Sequence, residues 1–179
     1  MEYKRLYDGK KVDLESYVKD YLSSKDNVEI LIGCDSQNFS DKTIYAIVVA
    51  LYDKGKGAHV LYKRWKTQRE VTRNIRLLNE VWYAVETAEN MKIDGIPEVK
   101  WIDIDINPDP KYKSNSVLRQ AVGLVEGMGY KVTVTELVGL EHSMKNELIL
   151  AENIHQPKKI ALDRLEEILK TCHLEPLKS

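Results

Sequence analysis

Cysteine is scarce in this chain. Cys34 and Cys172 are the two it has; they lack metal-ligand spacing and imply no disulfide framework. Charge of one sign is missing as well. With a net charge of −1 the molecule as a whole does not attract nucleic acid, so any such role must rest on local charge. No apolar run approaches the length of a membrane span, and the opening MEYKRLYDGKK has no apolar stretch of the secretory kind. The expectation is a cytoplasmic protein without membrane contact. Repeats and low-complexity tracts are absent. Glycines number only 9, too few for the glycine-rich phosphate loops of a nucleotide-binding enzyme.

What is present suits one ordinary domain over residues 1–179. Apolar residues make up 43%, enough for a core, and charged residues 31%, enough for a solvated surface. Residues 1–27 read as a helical extension, 28–136 as the core and 137–179 as C-terminal helices. Within the extension, 13–23 is a short amphipathic helix with Asp13 as its N-cap. Strands follow at 28–34, 43–52 and 58–66, joined by short links in an antiparallel meander, with a turn signal after Asp53. Residues 69–91 form one long helix whose apolar row is Val71, Ile75, Leu78, Trp82 and Val85. A fourth strand, WIDIDIN at 101–107, ends at Asn107-Pro-Asp-Pro. Ser114 or Asn115 caps a helix over 116–128, a fifth strand spans 130–136, and helices are expected at about 141–153 and 158–172.

Two of these strands carry carboxylates at their C-terminal ends. In LIGCDSQ at 31–37, Gly33 permits a close backbone approach or a bend, and Asp35 follows where the chain leaves the sheet. In WIDIDIN, Asp103 and Asp105 alternate with Ile102, Ile104 and Ile106. Carboxylates on central strands are costly to bury unless paired, hydrogen-bonded or bound to a metal. Adjacent strands lie about 4.8 Å apart, and the two metal ions of a nuclease site about 3.5–4 Å apart. Carboxylates on neighbouring strand ends therefore reach a magnesium or manganese pair. A third carboxylate is expected from the long helix, where Glu80 and Glu86 flank the apolar row and the periodicity leaves both open. Taken singly, Asp35 is an ordinary cap or turn residue, Asp103 and Asp105 belong to a solvated sheet face, and Glu80 is a surface partner of Arg76. Their combination in this element order is what points to a site.

The order strand, strand, strand, helix, strand, helix, strand, helix is that of a mixed α/β sheet with helices on its faces. It is the order of the ribonuclease H-like fold, in which the first and fourth strands are neighbours, which would set Asp35 beside Asp105. GCDSQ, the segment from Thr72 through Arg76 to Val81, the strand ending DIN, and KYKSN together resemble the YkuK family of ribonuclease H-like proteins, over roughly residues 28–135. The resemblance implies a five-stranded core, a first acidic residue at Asp35, the helix glutamate at Glu80, the strand-four aspartate at Asp105, and a Lys-Ser-Asn run at Lys113, Ser114 and Asn115. The chain departs from the family after strand five, where TELVGLEHSMKNELILAENIHQPKK replaces a Lys-Pro segment and a later Ala-Asp pair. Glu141, Glu147 and Asp163 are each open as a fourth ligand.

A substrate would meet local charge. Residues 63–76 carry Lys63, Arg64, Lys66, Arg69, Arg73 and Arg76 against the single acid Glu70, a charge of +5 on a near-neutral protein. Cations beside a carboxylate site hold phosphates, so Arg69, Arg73 and Arg76 are candidate nucleic-acid contacts. Trp65 could stack on a base or sit in the core. Lys113, Ser114 and Asn115 stand at a helix start, where free N–H groups favour phosphate. His142 is a weaker candidate for proton transfer, and Cys34 reads as a small packed apolar residue.

The functional expectation is metal-dependent hydrolysis of a nucleic-acid phosphodiester with Mg2+ or Mn2+. Asp35 and Asp105 would bridge the metals, Glu80 would complete a coordination sphere, and Asp103 would support them or substitute. The rival is a non-catalytic ribonuclease H-like module that binds nucleic acid or a protein. A nucleotide-binding enzyme of the actin-like type shares the fold but needs a second domain and the glycine loops this chain lacks.

Overall fold

The computed structural model describes residues 1–53, 57–96, 99–106, 111 and 113–134. The Asn107-Pro-Asp-Pro stretch expected to end the fourth strand, the helices expected at 141–153 and 158–172, and the candidates Glu141, Glu147, Asp163 and His142 lie outside the described residues.

Among the described residues the chain runs β1 (Glu2–Arg5), β2 (Lys11–Asp13), α1 (Leu14–Ser23), β3 (Val28–Asn38), β4 (Lys42–Asp53), β5 (Gly57–Gln68), α2 (Arg73–Ile93), β6 (Trp101–Ile104), a 3-10 turn (Lys113–Val117), α3 (Leu118–Gly127) and β7 (Lys131–Val134). The strands form one mixed sheet in the order β2-β1-β5-β4-β3-β6-β7. The meander β3-β4-β5 is antiparallel, and β6 and β7 join parallel on the other side of β3. All five expected strands are therefore in place, with the first and fourth as neighbours.

The N-terminal extension differs from its helical reading. It supplies two further strands, which bring the sheet to seven, before α1 begins. Asp8 and Gly9 form the turn between them: Gly9 takes the left-handed φ of +71°, and Asp8 accepts hydrogen bonds from Arg5 and from the Lys10 backbone N–H. An Asp-Gly pair between β-prone residues is a hairpin signal that outweighs the helical pattern nearby. Helix α1 starts as expected, with the Asp13 carboxylate accepting from the Ser16 backbone N–H at 3.1 Å.

Strand β4 is apolar along most of its length because both its faces are buried. Tyr45, Ile47, Val49 and Leu51 face the helices in the main core, and Ala46, Val48 and Ala50 face the opposite way in a smaller cluster with Leu31 and Val60. Residues of all three described helices pack into the main core. No helix among the described residues is long and apolar enough to cross a membrane.

Helix α2 sits on β3 through a row that only partly coincides with the expected one, of which Val85 is buried and Leu78 packs against the core. Leu77, Val81, Ala84, Ala88 and Met91 are buried, whereas Val71 is 89% exposed and Trp82 50%. Both rows repeat at helical spacing, so periodicity does not separate them. Packing does: Ala84 and Ala88 let the helix backbone come close to the sheet, and the bulk of Trp82 would hold it away. The helix also starts four residues later than expected, at Arg73. The Glu70 N–H donates to Thr43 Oγ1 at 2.8 Å and the Glu70 carbonyl accepts from Asn38 at 2.9 Å, which ties this stretch to the strands beneath.

Helix α3 begins at Leu118 rather than 116, with Val117 at its N-cap and no side-chain capping bond. The preceding residues close a 3-10 turn in which Ser116 Oγ donates to the Lys113 carbonyl at 3.0 Å.

Candidate carboxylate site

Strand β3 runs past its β6 partner. It pairs with β4 as far as Asn38, while its pairing with β6 covers Leu31↔Trp101, Ile32↔Ile102 and Gly33↔Asp103. Asp35 thus lies within the strand and not beyond it. Continuing the parallel register by two residues sets Asp35 beside Asp105, which follows directly after β6. The C-terminal edge of parallel strands, where connections leave in opposite directions, is the usual place for a site in a sheet of this kind.

Side-chain alternation separates Asp35 from Ser36. Ala46, the partner of Asp35, belongs to the smaller cluster, and Tyr45, the partner of Ser36, belongs to the helix-side core. Ser36 therefore faces α2, and there it meets Glu80. Ser36 Oγ donates a short hydrogen bond to Glu80 Oε1. Arg76, one helical turn before Glu80, donates from Nη1 to the Ser36 carbonyl at 2.6 Å and to Glu80 Oε1 at 3.0 Å. Glu80 itself is 4% exposed, in the middle of the row that α2 buries. Its place is not the margin of the helix, and Glu86, the other candidate, is exposed.

The electrostatics follow from this burial. The Glu80 carboxyl is raised well above the usual range, first by burial and then by the charge of Asp35; Ser36 and Arg76 oppose the shift, and Asp105 adds to it. The Asp105 carboxyl is raised by burial and by Asp35, against the pull of Arg76. Asp103, far from lying on a solvated face, is 2% exposed, and burial together with Asp105 pushes its carboxyl up to about 8. Among the described residues, neither of its carboxylate oxygens has a hydrogen-bond partner. Its cross-strand neighbour is Gly33, where an added Cβ would stand 3.6 Å from the Asp103 Cβ. Four carboxyl groups thus crowd one strand edge with Arg76 as the cation among them.

The donor set fits a hard divalent cation. All the donors are carboxylate oxygens, two lie on adjacent strand positions, and magnesium binds through one or two carboxylates while keeping its waters. No three acidic, histidine or cysteine side chains among the described residues stand close enough to share one ion. The Asp35–Asp105 pair is then the seat such a cation would use, with Glu80 held to one side by Ser36 and Arg76.

The other sequence candidates are placed as follows. Arg69 and Arg73 are exposed, before and at the start of α2. Lys113 is exposed, Asn115 half-buried and Ser114 buried. Trp65 is half-buried in an aromatic trio, 5.6 Å from Tyr45 and 4.9 Å from Tyr83 between ring centres, so the structure places it in packing. Cys34 is buried and free, as its packing role requires. Sequence reasoning passed over Ser36. The available signal was its position next to Asp35, since strand alternation turns it toward whatever the helix brings.

No curated protein sequence matches the chain. Among solved structures, the crystal structure of RNase H1 from the halophilic archaeon Halobacterium salinarum NRC-1 is similar, at 16% identity, with 76% of this chain and 98% of that chain covered and a TM-score of 0.40. A family model described as ribonuclease H-like matches residues 12–135, well over half the chain. With its mixed α/β sheet and parallel β3–β6 pair, the chain belongs to the ribonuclease H-like family.

Proposed function

We propose that this chain is a divalent-metal-dependent nuclease of the YkuK type, acting on nucleic-acid phosphodiesters with Mg2+ or Mn2+. The observation that carries the reading is the parallel register that sets Asp35 beside Asp105 on a strand edge where Glu80 and Asp103 are also buried. Burial and neighbouring carboxylates raise the proton affinity of Glu80, Asp103 and Asp105 there, an arrangement that is costly unless a cation compensates it. When bound, the metal would activate a water for in-line attack and neutralise charge on the leaving oxygen. Asp35 and Asp105 would hold it, Glu80 would complete its sphere once released from Ser36 and Arg76, and Asp103 would support them or substitute as a ligand. Arg69, Arg73 and Lys113, all exposed, are among the cations that would meet the phosphate backbone.

The test is cleavage of labelled RNA, DNA and RNA–DNA hybrid with Mg2+ or Mn2+ by wild type and Asp35→Asn. Metal-dependent cleavage that Asp35→Asn loses is the expected result and identifies the substrate class. The rival reading, a binding module without catalysis, draws on one observation: no three carboxylates among the described residues converge on one point. Nucleic-acid binding without cleavage or metal binding, in a folded protein, would establish the rival.

A further inference from the structure

Arg76 was a candidate substrate contact, yet its guanidinium is turned inward. One nitrogen serves the Ser36 carbonyl at 2.6 Å, the Ser36 hydroxyl and Glu80 Oε1 at 3.0 Å, and only 17% of the side chain is exposed. The Ser36 hydroxyl donates to the same Glu80 oxygen, so one carboxylate oxygen takes two donors from residues that also bond each other. Such a closed group holds Glu80 on the helix side of β3. The Asp35 side chain projects to the other side, and Asp105 stands beside Asp35. Arg76 also lies close enough to Asp105 to act on its charge. Its charge thus acts on both Glu80 and Asp105, opposing the repulsion between the carboxyl groups.

We propose that Arg76 is a positioning residue: the built-in counter-cation of the carboxylate cluster, which latches Glu80 to Ser36 and competes with the divalent ion for the site. This inference rests on the reading of the cluster as a metal site. A guanidinium keeps its charge at any accessible pH, so the protein without metal stays folded around its buried carboxylates. A cation entering at Asp35 and Asp105 would repel Arg76, and Glu80 would be released toward the ion. Arg76 thus sets the metal concentration at which the site assembles.

The experiment is titration calorimetry of Mn2+ into the full chain without nucleic acid, with thermal unfolding in EDTA and in Mn2+ alongside, for wild type, Arg76→Gln and Arg76→Lys. Arg76→Gln is expected to bind Mn2+ at least fivefold more tightly than wild type and to unfold at a lower temperature in EDTA, with Mn2+ closing the gap. Arg76→Lys keeps the charge and is expected to stay within about twofold of wild type. A residue that only supports the fold would give weaker Mn2+ binding when replaced. Should Arg76→Gln not fold, Ser36→Ala carries the test: it loosens the latch at constant charge and is expected to tighten Mn2+ at least twofold. Mn2+ binding by wild type that is unchanged or weaker in the variant overturns the latch and leaves the nuclease reading standing. No Mn2+ binding by any of these folded proteins overturns both.

Discussion

Replacing Asp103 by asparagine should flatten the pH dependence of stability. In the fold, burial and the neighbouring Asp105 push the Asp103 carboxyl up to about 8, whereas in the unfolded chain it titrates near about 3.9. Between those values the unfolded chain has released the proton and the folded chain has kept it. Stability therefore falls as pH rises through this window, by about 1.4 kcal/mol per pH unit from this group alone. Below it both states hold the proton and there is no penalty; above about 8 the penalty is complete. From pH 5 to pH 7 the loss amounts to about 3 kcal/mol. Asparagine resembles the neutral acid and has no proton to lose. Its amide, among partners that leave both Asp103 oxygens unsatisfied, costs about 1–3 kcal/mol at every pH alike. The slope and not the absolute stability is thus diagnostic. Urea unfolding of wild type and Asp103→Asn at pH 5, 6 and 7, in EDTA, measures it. Parallel stability curves for the two proteins would refute the reasoning, because they would mean that Asp103 ionises in the fold as it does in the open chain.

The packing of α2 can be tested by a pair of substitutions. Ala84→Leu, at the buried helix–sheet contact, should cost about 1–3 kcal/mol by overpacking, while Trp82→Gln on the exposed side should stay within about 0.5 kcal/mol of wild type; equal effects in denaturant unfolding would mean that the faces are misassigned. His59, half-buried with Nδ1 2.6 Å from Tyr17 Oη, is held below its ordinary range by burial and by the charges of Lys25 and Arg5. Below the ordinary histidine range the unfolded chain takes up the proton more readily, so stability should fall as pH drops through that range, and the ring signals in NMR should titrate below about 6.5. Replacing Arg69 and Arg73 together by alanine should reduce the slope of log binding constant against log salt by about 1.4–1.8 if each contacts one phosphate; an unchanged slope would remove both from the substrate path.

How much of this was legible in the sequence varies with the physics involved. The strands β3 to β7 were readable because each carries an apolar or alternating stretch, most of them bounded by turn residues, and their order implied the neighbours β3 and β6. Asp35 and Asp105 could be paired because a parallel register carries strand positions across a sheet with a fixed offset. The β1–β2 hairpin was less legible, since its strands are too short for alternation to stand out and only Asp8-Gly9 marks it.

The sequence by itself determined the order of elements from β3 to β7, the parallel pair and the types of side chain at the strand edge, because these depend on local pattern and chain direction. Tertiary structure decided which row of α2 is buried, hence that Glu80 and not Glu86 faces the sheet. It also decided that Asp103 is enclosed without a partner among the described residues, and that Arg76 turns inward to Ser36 and Glu80 rather than outward to a substrate. The physical reason is the same in each case. Two rows of one helix can share a period, and an arginine can reach either way, so the choice is made by close packing between elements far apart in the chain, which no local pattern encodes.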